Sequence, residues 1–137
     1  MNLTVIYQFS DIHIKQLFQL YKQMGWGENR LIEETINCVQ NSQICIGLLS
    51  PDNKLIGFTR VLSDYIYKAF IFDVMVSAEY RGQGLGRKLM DLVKSHSKLQ
   101  KVKHFELYCL PEMETFYSSL GFSSDVGGIH LMRSSKD

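Results

Sequence analysis

With 137 residues, 45% of them hydrophobic and 21% charged, the chain has the size and composition of one ordinary globular domain, which excludes disorder, fibrous repeats and low-complexity binders. Fifteen basic against fourteen acidic side chains leave a formal charge of +1, so no overall field would draw the protein to nucleic acid or to an anionic membrane. No apolar run is long enough to cross a bilayer, and the Met1-Asn2-Leu3-Thr4 start lacks the basic and apolar segments of a signal peptide, so the expected location is the cytoplasm.

Leu3 to Phe9 alternates apolar and polar residues at the period of a half-buried strand. Ser10 and Asp11 then offer an N-cap, and Ile14, Leu17, Phe18, Tyr21 and Met24 recur at helical spacing until Gly25. Asn29 can cap a second helix whose Ile32, Ile36 and Val39 share one face, ending near Asn41. Between the helices stands Trp26, which either contacts a small ligand or plugs the end of the core.

Two strands follow, Gln43 to Leu49 and Leu55 to Leu62, joined by Pro51-Asp52-Asn53-Lys54, whose residue types suit a tight turn. A strand from Lys68 to Val76 carries apolar residues on both faces, as a covered central strand does. It leads into Arg81-Gly82-Gln83-Gly84-Leu85-Gly86-Arg87, which opens a helix with Leu85, Leu89, Leu92 and Val93 as its apolar stripe. A strand at His104 to Leu110, a helix from Pro111 to Leu120 ended by Gly121, and a last strand at Ile129 to Arg133 complete the chain. The expected fold is a single α/β (α+β) domain over residues 1–137, with helices packed on one mixed sheet.

Cys38, Cys45 and Cys109 are odd in number, widely spaced and without a CxxC pair, which suggests reduced and mostly buried thiols. Cys109 as a nucleophile would need a base and an electropositive setting. The four histidines are scattered, so no metal site is expected.

The glycine loop carries the strongest chemical signal. A glycine-rich start to a helix lets unpaired backbone N–H groups and the positive end of the dipole approach phosphate oxygens, and Arg81 and Arg87 can each add a charge-assisted contact. The alternative is an ordinary strand-to-helix turn. A Walker loop would need GxxxxGK followed by Ser or Thr, which is absent. A GxGxxG dinucleotide fingerprint fails in both registers, at Arg87 and at Leu89.

Arg81-Gly82-Gln83-Gly84-Leu85-Gly86 instead resembles the Q/R-x-x-G-x-G/A signature of the GCN5-related N-acetyltransferase (GNAT) family. Asp73-Val74-Met75-Val76 resembles that family's fourth strand, and Phe116-Tyr117-Ser118-Ser119-Leu120-Gly121-Phe122 its FYxxxGF motif. The resemblance runs from about Leu55 to Phe122 and implies a mixed, mostly antiparallel central sheet flanked by helices, with strands four and five splayed apart. It also implies acetyl-CoA as cosubstrate, held by Arg81, Gly82, Gln83, Gly84, Leu85, Gly86 and Arg87 at the pyrophosphate, by backbone groups of Met75 and Val76 along the pantetheine arm, and with Phe116 beside it. Where many members carry Asn and Ala before the FY pair, this chain has Leu110 and Met113, so a polar cofactor contact is missing or replaced.

The implied activity is transfer of acetyl to a primary amine, expected to belong to a small molecule, by direct attack in a ternary complex. A non-catalytic acyl-CoA sensor is the alternative. An alkylamine has a pKa of about 10.4, so its proton must be accepted before or during attack. Asp73 is the best-placed carboxylate for that, unless it pairs structurally, and Asp64, Tyr65 and Glu28 are weaker candidates. By the resemblance Tyr117 donates a proton to the departing thiolate; otherwise it is an aromatic packed on the core. An exposed edge at the C-terminal strand suggests a homodimer.

Overall fold

Residues 1–136 are described in the computed structural model, and they fall into two compact units, residues 1–107 and the stretch from Tyr108 onward. In the first unit the alternating start forms a short strand, β1 (Thr4–Ile6), and the helix α1 (Asp11–Lys22) follows. Ser10 caps α1 reciprocally: its Oγ accepts from the His13 N–H at 3.4 Å while its own N–H donates to His13 Nδ1 at 3.2 Å. Leu17, Leu20 and Tyr21 supply the buried stripe.

The second helix, α2 (Ile32–Gln40), starts after Leu31 and not from an Asn29 cap. The reason is the carboxylate of Glu34, which accepts from the Leu31 N–H at 2.7 Å, so a small polar cap residue is not needed. Asn29 lies in the preceding turn, where the Arg30 N–H donates to the Gly27 carbonyl at 3.2 Å.

Strands β2 (Ile44–Leu49) and β3 (Leu55–Ser63) form the expected hairpin, closed by the Ser50 N–H on the Lys54 carbonyl at 2.8 Å, with Asn53 left-handed at φ 64°. Strand β4 (Lys68–Val76) has the bounds expected from its apolar pattern. After it come a 3₁₀ turn (Ala78–Tyr80), the helix α3 (Leu85–Lys94) and a short strand, β5 (His104–Glu106). The sheet order is β1-β2-β3-β4-β5, antiparallel as far as β4, with β5 parallel to β4 because α3 crosses over between them.

Period-two alternation divides this sheet into two faces. Cys45, Leu49, Leu55, Phe58 and Met75 pack with Leu17, Leu20 and Tyr21 of α1 into one core cluster. Ile46, Leu48, Val61 and Ile71, also buried, fall on the opposite face, where α3 brings Leu85, Leu89, Met90 and Val93.

Strand β4 breaks regularity once. Phe58 pairs with Met75 and Arg60 with Phe72, so the single residue Thr59 opposes both Asp73 and Val74. This is a β-bulge, with Asp73 left-handed at φ 56° and the Thr59 hydroxyl donating to the Phe72 carbonyl at 2.9 Å. Pairing of β4 with β5 covers Lys68 to Phe70 and stops, so β4 runs on past the bulge to Val76 without β5 alongside. The Lys68 ammonium and Glu106 carboxylate, 2.6 Å apart, close the paired end.

In the second unit, a 3₁₀ turn (Pro111–Met113) runs into a short helix, α4 (Glu114–Ser118), which Gly121 ends at φ 92°. Three expectations are corrected here. The strand begun at His104 ends at Glu106 and not at Leu110, and the helix expected to reach Leu120 stops at Ser118. No strand is assigned at Ile129 to Arg133, where Ile129, Leu131 and Met132 are exposed behind the left-handed pair Gly127-Gly128. An apolar-rich stretch forms a strand only where a partner edge accepts it, and the homodimer expected from that edge therefore has no strand beneath it.

Candidate active site

The glycine loop follows β4 directly. Gly82 and Gly84 have φ of 77° and 80°, a region that penalises any side chain, and a Cβ built on either meets nothing within 4 Å. Gly84 is the N-cap of α3 and supplies no side-chain cap, so the N–H groups of the first turn remain for an external acceptor at the positive end of the helix. Gly86 lies inside that first turn. A cleft of about 520 Å³ opens beside the loop, lined by Asn2, Gln83, Gly84, Leu85 and Lys88 among others.

The stretch joining β4 to the loop is braced from α1. Gln23, the C-cap of that helix, accepts from the Ala78 N–H at 2.9 Å and donates to Ser77 Oγ at 3.4 Å. Sequence reasoning missed Gln23, since nothing local links positions 54 and 55 residues apart. The Ser77 N–H donates to the Ile56 carbonyl at 2.8 Å, which fixes the alternation at the end of β4. Met75 therefore turns its backbone groups toward β3, whereas those of Val76 face away from β3, on the side where β5 has ended. The Val76 carbonyl accepts from Arg81 Nε at 3.3 Å, so the arginine of the loop is tied to the strand that leads into it.

At the bulge, three donors converge on one oxygen of Asp73. The Tyr21 hydroxyl and Arg60 Nε each donate to Oδ2 at 2.7 Å, and Arg30 Nη1 does so at 3.3 Å. The Asp73 side chain is 9% exposed. Burial, followed by the charge and hydrogen bond of Asp73, pushes the Tyr21 phenol far above its ordinary range, so it remains a donor. Burial pulls Arg60 down, but the Asp73 hydrogen bond and charge outweigh it and hold the guanidinium more firmly protonated than usual.

Aromatic rings complete the cluster. The Arg30 guanidinium lies 4.5 Å from the Tyr21 ring centroid and 5.2 Å from that of Trp26, and Arg60 lies 5.1 Å from Phe72. Trp26 is 54% exposed, which removes the reading in which it plugs the core. Of this group the sequence reading had singled out Asp73 and Trp26 and missed Tyr21, Arg30 and Arg60. Arg60 carried a signal, being a cation in mid-strand between Phe58 and Leu62.

Asp64 accepts from the N–H groups of Ile66, Tyr67 and Lys68 at 2.9, 2.8 and 3.2 Å, and those bonds hold its carboxyl below the usual range. It shapes the β3–β4 connection, in which Tyr65 is left-handed at φ 66°. Glu28 is exposed. Of the cysteines, Cys45 is buried, Cys38 half-buried and Cys109 exposed, so the thiols are less covered than expected. Partial burial, then Glu114 and Glu112, raise the Cys109 thiol, which works against a nucleophilic thiolate. Among the described residues no group of three or more His, Cys, Asp or Glu side chains could hold a metal ion, and no helix is long and apolar enough to cross a membrane.

In the second unit Tyr117 is buried, with ring contacts to Phe116 at 5.0 Å and Phe122 at 6.0 Å. Burial, followed by Cys109, pushes its phenol up to about 12, so the hydroxyl carries its proton at neutral pH. Leu110 and Met113 are exposed.

The profile described as "Acetyltransferase (GNAT) family" matches residues 12–122. The chain is 32% identical over 126 residues to the uncharacterized N-acetyltransferase ycf52 of Gracilaria tenuistipitata var. liui, covering 90% of this chain and 69% of the relative. It is 30% identical over 132 residues to the histone acetyltransferase TAP1 of Glycine max, covering 89% of this chain and 57% of that one. Among solved structures, a protein of Xanthomonas campestris pv. campestris ascribed to the GNAT family superposes with a TM-score of 0.83 at 27% identity, over 99% of this chain and 94% of that one. AAC(6')-Iy in complex with the bisubstrate analog CoA-S-monomethyl-acetylneamine shares the fold, with a TM-score of 0.76 at 15% identity over 98% and 100% of the two chains.

Proposed function

The chain belongs to the GNAT family of acetyl-CoA-dependent N-acetyltransferases, and we propose that it transfers acetyl from acetyl-CoA to a primary amine of a small molecule, by direct attack in a ternary complex. The observation that carries this is the pair of left-handed glycines, open at their Cβ positions, at the uncapped start of α3. Such a start suits a pyrophosphate, because backbone donors face it and no side chain obstructs it. Residues 81 to 87 would hold that group, with the arginines adding charge-assisted contacts. The outward-facing groups of Val76 suit the amides of a pantetheine arm, whereas Met75, expected to share that role, turns its backbone groups to β3 and its side chain into the core. Acetyl-CoA supplies the acetyl group as a thioester, which an amine attacks directly.

The protein's own residues then have two protons to manage. All three donors to Asp73 engage Oδ2, which leaves Oδ1 as the oxygen able to take the proton of the amine, directly or through water. At the leaving side, the neutral phenol of Tyr117 is a proton donor for a thiolate whose own pKa is about 8.5. The relatives' names span a histone acetyltransferase and uncharacterized enzymes, so the small-molecule acceptor rests on the compact cluster around Asp73.

Titrating acetyl-CoA into wild-type protein and into Gly84→Val tests the cofactor site: the wild type is expected to bind, and the variant, forced out of φ 80°, to bind at least about tenfold more weakly. Equal binding would remove the glycine loop from the site. Tyr117→Phe is expected to lower kcat by about 100-fold with acetyl-CoA affinity held, as for loss of a general acid. Binding with no amine-dependent thiol release in either protein would favour the acyl-CoA sensor instead.

A further inference from the structure

We infer that the acceptor amine carries an anionic group, a carboxylate or a phosphate, and that Arg30 binds it; this rests on the transferase reading above. Arg60 and Arg30 share the single carboxylate of Asp73, whose side chain is 9% exposed, so the cluster holds a surplus positive charge behind a partly covered surface. The other ion pair on these strands, Lys68 with Glu106, is already matched. An uncompensated cation in such a setting loses hydration that only an anion restores well.

The surplus belongs to Arg30. Arg60 is the more covered of the two, 14% exposed against 29%, makes the shorter bond to Asp73 at 2.7 Å against 3.3 Å, and reaches Ser42 Oγ with Nη1 at 3.4 Å. Arg30 reaches Asp73 by one nitrogen only, Nη1. Its guanidinium carbon lies against the rings of both Tyr21 and Trp26, which stand 83° apart, so the group is held between two aromatic walls while its side chain stays 29% exposed. A guanidinium held between two rings and tied at one corner is restrained in advance for a bidentate anion, with less side-chain entropy left to lose on binding. The exposed Trp26 supplies an apolar wall beside it. An acceptor anchored here by its acid has its amine at the bulge, next to Asp73 and to the outward-facing backbone of β4.

The test measures thiol release from acetyl-CoA with amines matched in pairs, β-alanine against β-alaninamide and O-phosphoethanolamine against ethanolamine. The acid-bearing member of at least one pair is expected to have a kcat/KM about 30-fold higher, the scale of a charge-assisted bidentate contact, and which pair responds tells carboxylate from phosphate. Arg30→Gln is expected to bring that ratio near unity through KM. Arg30→Lys, which keeps the charge and loses the fork, should give an intermediate ratio, with thermal melts showing both variants folded. Equal or better turnover of the neutral members, or a ratio that Arg30→Gln leaves unchanged, would overturn the inference alone. Acetyl-CoA binding with no thiol release for any member would overturn the transferase reading, and the inference with it.

Discussion

The face of the sheet that looks toward α3 presents Ile46, Leu48, Val61 and Ile71, and the helix answers with Leu85, Leu89, Met90 and Val93, all buried. The face toward α1 is built from the same strands and buries Phe58 and Met75, but it also carries Arg60 and, at the bulge, Asp73. The apolar face needs only volume and shape, so many residues would serve there. The other face spends hydrogen bonds and ion pairs at one irregular point, where left-handed backbone at a non-glycine residue costs about 1 kcal/mol or more. A fold that needed only stability would have little use for that irregularity, and the strand it interrupts is the one that leads into the glycine loop.

Substitutions on the two faces should therefore differ in kind. Asp73→Ala leaves two partly covered guanidiniums and a buried phenol without their acceptor, and we expect a loss of about 3–5 kcal/mol in urea unfolding together with loss of acetyl transfer. A loss near zero would mean that the cluster merely decorates the fold. Leu89→Ala, on the plain face, should cost about 2–4 kcal/mol of stability through the cavity it leaves, with transfer by the folded fraction little changed. If it abolished transfer in folded protein, the division between the faces would fail.

Smaller effects sharpen the same contrast. Gln23→Ala removes the two bonds that brace Ser77 and Ala78, and should raise the Kd for acetyl-CoA by about fivefold, the scale of one hydrogen bond, with Tm nearly held. An unchanged Kd alongside a lower Tm would make Gln23 purely structural. The smallest effect is expected from Asp64→Ala. The backbone bonds to Asp64 depress its carboxyl from an ordinary value of 3.8, so their contribution is present above that pH and fades as pH falls through the lower folded value. The wild type should exceed the variant slightly in urea midpoint at pH 7, and the gap should close in acid. A gap that widened in acid would reverse the sign and contradict the role given to those bonds.

Much of the scaffold was legible because periodicity is local. The covered strand at Lys68 to Val76, the hairpin and the glycine loop all stand where residue pattern put them. The start of α2 was misplaced because an acceptor three residues inside the helix did the work of a cap, and the apolar-rich Ile129 to Arg133 forms no strand because local composition says nothing of a partner. The site was legible only where a motif is contiguous. Asp73 finds Arg60, Arg30 and Tyr21 across 13, 43 and 52 residues, and the bulge that lets it do so depends on a register that no single strand encodes.

The most direct test of the account is mass-spectrometric detection of the acetylated amine after incubating the protein with acetyl-CoA and a mixture of primary amines. At least one amine is expected to gain an acetyl group, at a rate proportional to wild-type protein and reduced about 100-fold by Tyr117→Phe. Acetyl-CoA left intact, or consumed with free acetate as the only product, would contradict it.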